Sequence, residues 1–297
     1  MMQRQVEEFL HFVAVEKGYS KNTVAAYRND LTQFVGYLED EGIDSWKSVD
    51  QSCIIEYILY LKEREYASST VARKVASIKS FFHFLVADKV LEDDPTVTID
   101  SPSVDKSLPR PLSPSQVARL LAEPAKSQGP KASRDRALLE LMYATGMRAS
   151  EVIGLEVDAL DLDEGTVRCV GKGDKERIIP LYERACEALR AYVENGRASL
   201  IQGQDEKALF VNHWGRPLTR QGLWLLVTEY AATAGIKQKV TPHTIRHTFA
   251  THMLDGGAGL REVQQLLGHS NISSTQIYTK VSTRRKREAF DKAHPRA

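Results

Sequence analysis

Residues 241–253 read TPHTIRHTFATHM and place three histidines and one arginine on a single predicted helix. His243 and His247 stand four residues apart, a spacing at which two imidazoles can share a metal ion on one helix face. A hydrolytic zinc helix carries a glutamate between its histidines as general base, whereas this segment carries the permanent cation Arg246. Arg246 also lies three residues after His243, so both side chains can reach one anion. The segment indicates either a metal site or a phosphate clamp.

The overall composition is typical of a globular protein of a reducing compartment. The 297 residues suffice for two domains, and 42% are hydrophobic and 27% charged. Cys53, Cys169 and Cys186 are too few and too scattered for a disulfide framework or a four-cysteine zinc site. No apolar run reaches membrane-span length, and the N-terminus lacks a signal-peptide core. We therefore expect a cytoplasmic protein without membrane insertion.

The net charge of +1 conceals an uneven distribution along the chain. Residues 1–100 hold 11 Lys and Arg against 17 Asp and Glu, a net charge of −6, which leaves +7 for the remainder. A basic C-terminal part indicates a polyanionic partner there. The acidic N-terminal part counts against nucleic acid, unless its few cations gather on one surface.

The first hundred residues have the apolar spacing of a helical bundle. In residues 22–42 and 68–86, apolar side chains recur every three or four positions. Arg73, Lys74 and Lys79 fall off the apolar stripe of the second run. They form either an ordinary solvated face or, if the chain binds DNA, a face that follows the phosphate backbone.

A proline-rich stretch separates this bundle from the rest of the chain. Five prolines and no apolar period lie between Asp93 and Gln116, which predicts an extended linker over residues 93–112. The predicted domains are therefore 1–92 and 113–297. In the second domain, helical spacing predicts helices at 113–122, 133–145, 149–155, 182–194, 219–234, 242–255 and 259–267.

One segment of the second domain alternates like a strand. GTVRCVGKGDKERIIPL, residues 165–181, predicts a β-hairpin that turns at GKGD and carries Lys172 at its tip. The GKGDK sequence lacks the earlier glycine and the Ser or Thr of a phosphate-binding loop, so we do not expect a nucleotide site. The predicted fold is mainly α, with a small antiparallel β-sheet.

Three further residues are ambiguous when each is taken singly. Arg148 sits at a helix break in YATGMRASEVIGL, where backbone N–H groups favour an anion, but a surface pair with Glu151 also explains it. His269 follows a helix in LLGHS, and Tyr278 comes nine residues later in a polar, turn-rich segment. A lone tyrosine is more often a packing residue than a nucleophile.

Taken in order, Arg148, Lys172, HTIRH, LLGHS and Tyr278 resemble the signature of the tyrosine site-specific recombinases of the phage integrase family. The resemblance runs from GYSKNTVAAYRNDLTQF to the terminal HPRA and is nearest to the Xer group. Lys280 departs from that group, in which a histidine is common at this position. The departure bears on the subgroup and not on catalysis.

The resemblance implies cleavage of DNA without a metal or a cofactor. Tyr278 is expected to attack phosphorus and form a 3′-phosphotyrosyl bond. Arg148 and Arg246 are expected to clamp the non-bridging oxygens, on which charge spreads in the transition state. Because the arginines would neutralise the charge that two Mg²⁺ ions neutralise in a nuclease, the phosphate clamp is favoured over the metal site.

The resemblance also assigns the proton transfers. Lys172 is expected to protonate the leaving 5′-oxygen, and His243 to exchange the proton of Tyr278. His269 is expected to donate a hydrogen bond to the phosphate. His247 and His252 have no role in this scheme and are assigned to packing or helix-end contacts.

The expected partner is double-stranded DNA carrying a dif-like site. The resemblance implies a C-shaped clamp, in which an N-terminal core-binding bundle and a catalytic domain hold the duplex from two sides. Four protomers, alone or with a second Xer recombinase, would act through a Holliday junction, and the last helix would dock on a neighbour. The expected function is resolution of chromosome dimers for segregation at cell division, with or without activation by a FtsK-like translocase.

Three other functions fit part of the pattern. A mobile-element integrase would use the same chemistry on a different target, but from the compact length of 297 residues we expect no arm-binding domain of the lambda type. A DNA-binding protein that has lost cleavage would not need all six catalytic positions. A type IB topoisomerase shares the chemistry, but the whole-chain resemblance runs to the Xer group.

Overall fold

The computed structural model describes residues 2–100, 110–171, 176–203, 205–268 and 283–297 and, within 283–286, the main chain only. These residues belong to two compact units, Met1–Ser107 and Leu108–Ala297. Each unit has its own apolar core. No helix of the described ranges is long and apolar enough to cross a membrane.

The described part of the first unit is a helical bundle. Its helices are α1 (Met2–Val15), α2 (Lys21–Asp40), α3 (Gln51–Glu63) and α4 (Ser68–Ala87). Ser20 caps α2 by accepting the N–H of Thr23, which satisfies one of the free donors at the helix start. Aromatic rings fill the centre, and the rings of Trp46 and Phe81 meet edge to face with centroids 4.7 Å apart.

A buried carboxylate holds two of the three cations that the sequence placed off the apolar stripe of α4. Asp30 is fully buried and accepts hydrogen bonds from the guanidinium of Arg73 and, at 3.1 Å, from the ammonium of Lys74. Lys74 is only 2% exposed, so it lies inside the bundle and not on a solvated face. Lys79 donates to the main-chain oxygen of Ile99 at 2.8 Å. DNA contact by these three cations stays a prediction.

The described ends of the predicted linker are packed. Ile99 lies in the core of the first unit. Leu112 lies in the core of the second unit, where its N–H donates to Thr248 Oγ1 at 3.0 Å. Residues 101–109 lie outside the described ranges, so the extended linker and the domain boundaries stay predictions.

The second unit is mostly helical. Its described helices are α5 (Pro114–Ala122), α6 (Pro130–Thr145), α7 (Ala149–Ile153), α8 (Glu183–Ala191), α9 (Ala198–Ile201), α10 (Arg220–Thr233), α11 (Pro242–Asp255), α12 (Leu260–Leu267) and α13 (Thr283–Ala293). The long helix α6 runs through the middle of the core, because all of its side chains from Ala137 to Thr145 are buried. A π-helical segment, Tyr192–Arg197, joins α8 to α9.

A small antiparallel sheet lies beside the helices. Its described strands, β1 (Leu160–Asp161), β2 (Thr166–Val170) and β3 (Glu176–Pro180), follow one another in this order. Cys169 of β2 stands opposite Arg177 of β3, and both face inward. The predicted mainly α fold, with an N-terminal bundle and a small antiparallel sheet, is confirmed.

The C-terminal segment packs against its own chain. Helix α13 contacts α11 and β3, and its Phe290 is fully buried. The His294 imidazole stacks on the rings of Phe290 and Tyr182, with centroids 4.7 and 4.9 Å away. Arg296 pairs with Glu140 of α6 at 3.0 Å. Docking of this helix on a neighbouring protomer stays a prediction.

The Asp30→Asn variant keeps the side-chain shape but leaves the Lys74 ammonium buried against a neutral amide. We expect the free energy of unfolding of the first unit to fall by about 3–5 kcal/mol. Trp46 is 3% exposed, whereas Trp214 and Trp224 are exposed, so tryptophan fluorescence during urea unfolding reports on the first unit.

The matched control is Arg4→Gln, which breaks the exposed i,i+4 pair with Glu8. This change should cost less than about 1 kcal/mol. Equal losses in the two variants would contradict a stabilising role for the buried group.

Burial of His294 makes the stability of the fold sensitive to acid. Removal from water lowers the pKa of His294 to about 4, from an ordinary value near 6.5. The unfolded chain therefore binds a proton that the folded chain excludes as the pH falls below about 6.5. This difference removes about 3 kcal/mol of stability between pH 7 and pH 4. Urea unfolding at several pH values should show a shallower pH dependence for His294→Gln than for wild type, and parallel curves would disprove the assignment.

Candidate active site

Three of the six predicted catalytic residues lie in the described ranges. Arg148 directly precedes α7, and His243 and Arg246 lie on the first two turns of α11. Lys172, His269 and Tyr278 lie outside the described residues.

The turn between α6 and α7 positions Arg148. Gly146 ends α6 in the left-handed region, with φ of +58°, and Arg148 follows as the N-cap residue of α7. A Cβ atom at Gly146 would lie 2.3 Å from the Phe249 ring, so only glycine lets α6 approach α11 this closely. The turn therefore places Arg148 next to the helix that carries Arg246.

Arg246 is built into the protein interior. It is 8% exposed, and its guanidinium donates to the oxygen of Gly146 at 2.7 Å and to the oxygen of Leu267 at 2.8 Å. Burial, with the nearby charges of Arg148 and Arg177, lowers the pKa of Arg246 to about 10. Because this pKa is still well above neutral pH, the Arg246 side chain remains a cation at pH 7.

The end of α12 brings three arginines together. Arg177 donates from Nε to the Leu266 oxygen at 2.9 Å, and Arg246 donates to the next oxygen, that of Leu267. Arg148 donates to the oxygen of Gly268 at 3.3 Å. These oxygens belong to the last turn and cap of α12, where helix carbonyls lack partners and the helix dipole is negative. Three consecutive carbonyls thus receive three different arginines.

Glu151 is the carboxylate that the arginines share. It accepts the backbone N–H of Arg148 at 2.7 Å and Arg148 Nη1 at 2.9 Å. It also accepts both terminal nitrogens of Arg177, at 3.1 and 2.8 Å. Burial alone would raise the pKa of Glu151, but the hydrogen bonds from Arg177 and Arg148 outweigh it and hold the pKa below its ordinary value. The surface pair weighed for Arg148 is therefore part of a larger network.

The sequence prediction missed Arg177. Its side chain is 9% exposed and lies on the inward face of β3. A buried-face arginine in a strand that otherwise alternates was the available signal, because such a charge needs a partner. That partner, Glu151, is 26 residues away along the chain.

The described part of the site is strongly positive. Three guanidinium groups cluster there around one carboxylate, Glu151, which binds Arg148 and Arg177, and of the three arginines Arg148 has the most exposed side chain, at 40%. Burial raises the pKa of the underlying Cys169 thiol to about 11, although the neighbouring Arg177 lowers it, so this group stays neutral. An excess of fixed donors and positive charge suits a phosphate group.

Two histidines of α11 differ in exposure, since His243 lies at the surface and His252 in the core. His243 is exposed, on the outer side of the helix start. His252 is buried, and its Nδ1 lies 2.8 Å from the Tyr143 hydroxyl, consistent with the packing role expected for it. Within the described ranges, no three His, Cys, Asp or Glu residues come together as metal ligands.

Two family models match the chain. The phage integrase family matches residues 110–285, and the phage integrase N-terminal SAM-like domain matches residues 6–89. Together the two matches cover most of both compact units.

Relatives match over nearly the whole length. A tyrosine recombinase XerC of Roseiflexus sp. (strain RS-1) is 50% identical over 283 residues, covering 95% of this chain and 90% of the relative. A tyrosine recombinase XerD of Halalkalibacterium halodurans is 46% identical over 293 residues, 98% of each chain. Among solved structures, the XerH site-specific recombinase bound to palindromic difH substrate in a post-cleavage complex is 25% identical, with a TM-score of 0.70, over 90% of this chain and 78% of that one.

A methyl group at Gly146 should disturb the arginine cluster. Gly146→Ala combines backbone strain at positive φ with a clash against Phe249, so we expect a loss of about 2–4 kcal/mol in the free energy of unfolding. Gly235→Ala is the matched control, because Gly235 has φ of +68° with nothing within 4 Å of its Cβ position. It should lose only about 1–2 kcal/mol. Equal losses in chemical denaturation would contradict the close approach of α6 and α11.

Proposed function

Because the chain belongs to the phage integrase family and is a tyrosine recombinase of the Xer group, we propose that it recombines DNA at dif-like sites and so resolves chromosome dimers before cell division. The observation that carries the proposal is the fixed pair Arg148 and Arg246, held at the end of α12 in a chain 46–50% identical to XerC and XerD recombinases. The family resemblance predicted from the motifs is confirmed by the family models and the relatives.

The two arginines are the proposed clamp for the scissile phosphate. Arg246 is anchored by two main-chain oxygens, so its charge is in place before DNA arrives. Arg148 is more exposed, and Glu151 holds both its backbone N–H and its Nη1, so its other N–H groups can face a ligand. Donors fixed in advance stabilise a transition state more than mobile donors, because no reorganisation is needed during the reaction.

Tyr278 is the proposed nucleophile. Its oxygen would form a bond to phosphorus while the bond from phosphorus to the 5′-oxygen breaks, giving a 3′-phosphotyrosyl linkage. The two arginines would stabilise the extra negative charge on the non-bridging oxygens, and His269 would donate a further hydrogen bond. The unperturbed pKa of tyrosine is about 10, so nearby cations or a base must assist its ionisation.

Lys172 and His243 are the proposed proton carriers. Lys172 would protonate the leaving 5′-oxygen, and His243 would accept the proton of Tyr278. Attack by the 5′-hydroxyl of a partner strand would reverse these transfers and release the tyrosine. The phosphotyrosyl bond conserves the energy of the phosphodiester, so the proposed reaction uses no ATP and no metal ion.

The proposed assembly is a tetramer on two DNA duplexes in the cytoplasm. The XerH relative is described bound to difH substrate, which supports a dif-like site as the substrate here. Relatives named both XerC and XerD match the chain at similar identity, which supports either a homotetramer or a pairing with a second Xer recombinase. A FtsK-like translocase is the proposed activator, and α13 the proposed contact to a neighbour.

A nicked suicide DNA with a dif-like site tests the chemistry. In EDTA, wild-type protein should become covalently attached to the DNA on a denaturing gel, and Tyr278→Phe should not. The control is retained DNA binding by Tyr278→Phe, since loss of one hydroxyl leaves the phosphate contacts in place. Wild-type protein that binds this DNA but forms no adduct, even with a second recombinase and a translocase added, would refute the proposed cleavage.

A further inference from the structure

Arg177, on strand β3, contacts both the start of α7 and the end of α12. Its guanidinium contacts Glu151 of α7 and the Leu266 oxygen at the end of α12. It also lies against Gly268, where a Cβ would come within 2.9 Å of Arg177 Nη1. One side chain of β3 therefore touches two other elements of the site.

The ion pair between Arg177 and Glu151 is bidentate. Arg177 Nη1 and Nη2 donate to different carboxylate oxygens, at 3.1 and 2.8 Å, in the fork-to-fork geometry that fixes both planes. The same two oxygens accept Arg148 Nη1 and the Arg148 backbone N–H. Glu151 cannot rotate without breaking bonds to both arginines, so Arg177 fixes the acceptor that orients Arg148.

Charge gives Arg177 a second effect on Arg148. Glu151 is 7% exposed, so its negative charge is little screened by water. With Arg177 present, this charge is shared between two guanidinium groups. Without Arg177, the whole charge would face Arg148 and weaken its attraction for a phosphate.

We propose that Arg177 is a positioning residue for DNA cleavage. By binding Glu151, it keeps Arg148 oriented toward the scissile phosphate and offsets part of the Glu151 charge that would otherwise weaken the attraction of Arg148 for that phosphate. The proposal rests on the proposed function, because it concerns the same phosphate clamp. Arg177 does not touch the reacting atoms in this scheme, and Arg148 transmits its effect. The competing interpretation is that Arg177 only stabilises the fold.

A neutral substrate separates these interpretations. In a methylphosphonate, a methyl group replaces one charged non-bridging oxygen, so cleavage depends less on the arginine that neutralises that charge. Arg177→Ala should cleave the normal phosphate slower than wild type by on the order of 10-fold or more. On the methylphosphonate, the ratio of wild-type to variant rate should shrink toward one. Equal loss on both substrates, or no loss on either, would overturn the proposal.

The matched control is Arg168→Ala on the neighbouring strand. Arg168 is half-exposed and pairs only at 3.7–3.9 Å, with Glu176 and Asp158. It should keep wild-type rates on both substrates. Arg177→Lys should recover only part of the rate, because an ammonium cannot bond both carboxylate oxygens as a planar fork. Full recovery by lysine would rule out the fork.

A second measurement does not depend on cleavage. In protein labelled with ¹³C at the glutamate carboxyl carbon, the Glu151 signal is assigned by its loss in Glu151→Gln and titrated by NMR. Arg177→Ala should raise the pKa of Glu151, since the hydrogen bonds of Arg177 lower it. An unchanged pKa would overturn the coupling. Absence of any wild-type adduct would instead count against the proposed function, while the titration still decides on Arg177.

Discussion

The second unit is organised around the last turn of one helix. Helix α12 ends with three carbonyl oxygens, of Leu266, Leu267 and Gly268, and each accepts a hydrogen bond from a different arginine. The negative end of a helix dipole and the unpartnered carbonyls of its last turn suit cations. Because the arginines come from β3, α11 and the start of α7, this helix end ties together elements that are far apart in sequence.

That arrangement limits what the site can bind. Main-chain oxygens fix the guanidinium groups but carry no full charge, so they orient the cations without neutralising them. Glu151 is the carboxylate in the described part of the cluster, and it forms ion pairs with both Arg148 and Arg177. The described part of the cluster therefore keeps a net positive charge, which attracts an external anion. A phosphodiester fits this surplus, whereas a metal cation would be repelled.

Local patterns predicted much of the fold and two of the three arginines. Helical spacing and the alternation of residues 165–181 placed the helices and the hairpin, while the two-residue strand β1 is too short to show any period. The helix predicted over 182–194 ends at Ala191, where the chain widens into a π-helical segment. Arg148 and Arg246 were identified because each sits in a motif with a recognisable spacing.

Local sequence patterns could not predict ion pairs between residues that are far apart in the chain. Lys74 was expected outside the apolar core of the bundle, but Asp30, 44 residues earlier, offsets its charge and lets it be buried. Arg177 was missed for the same reason, since its partners lie 26 and 89 residues away. In both cases, a charge became compatible with burial only through a contact that the fold creates.

The use of backbone oxygens as acceptors has a consequence for mutational tolerance. Leu266 and Leu267 offer their carbonyl groups whatever side chains they carry, so substitution by other apolar, helix-forming residues preserves the arginine contacts. Gly268 is different, because its φ of +68° and its contact with Arg177 leave no room for a side chain. At the end of α12, the arginine contacts therefore place no demand on the side chains of Leu266 and Leu267, which only have to fill the apolar core, whereas they exclude any side chain at position 268.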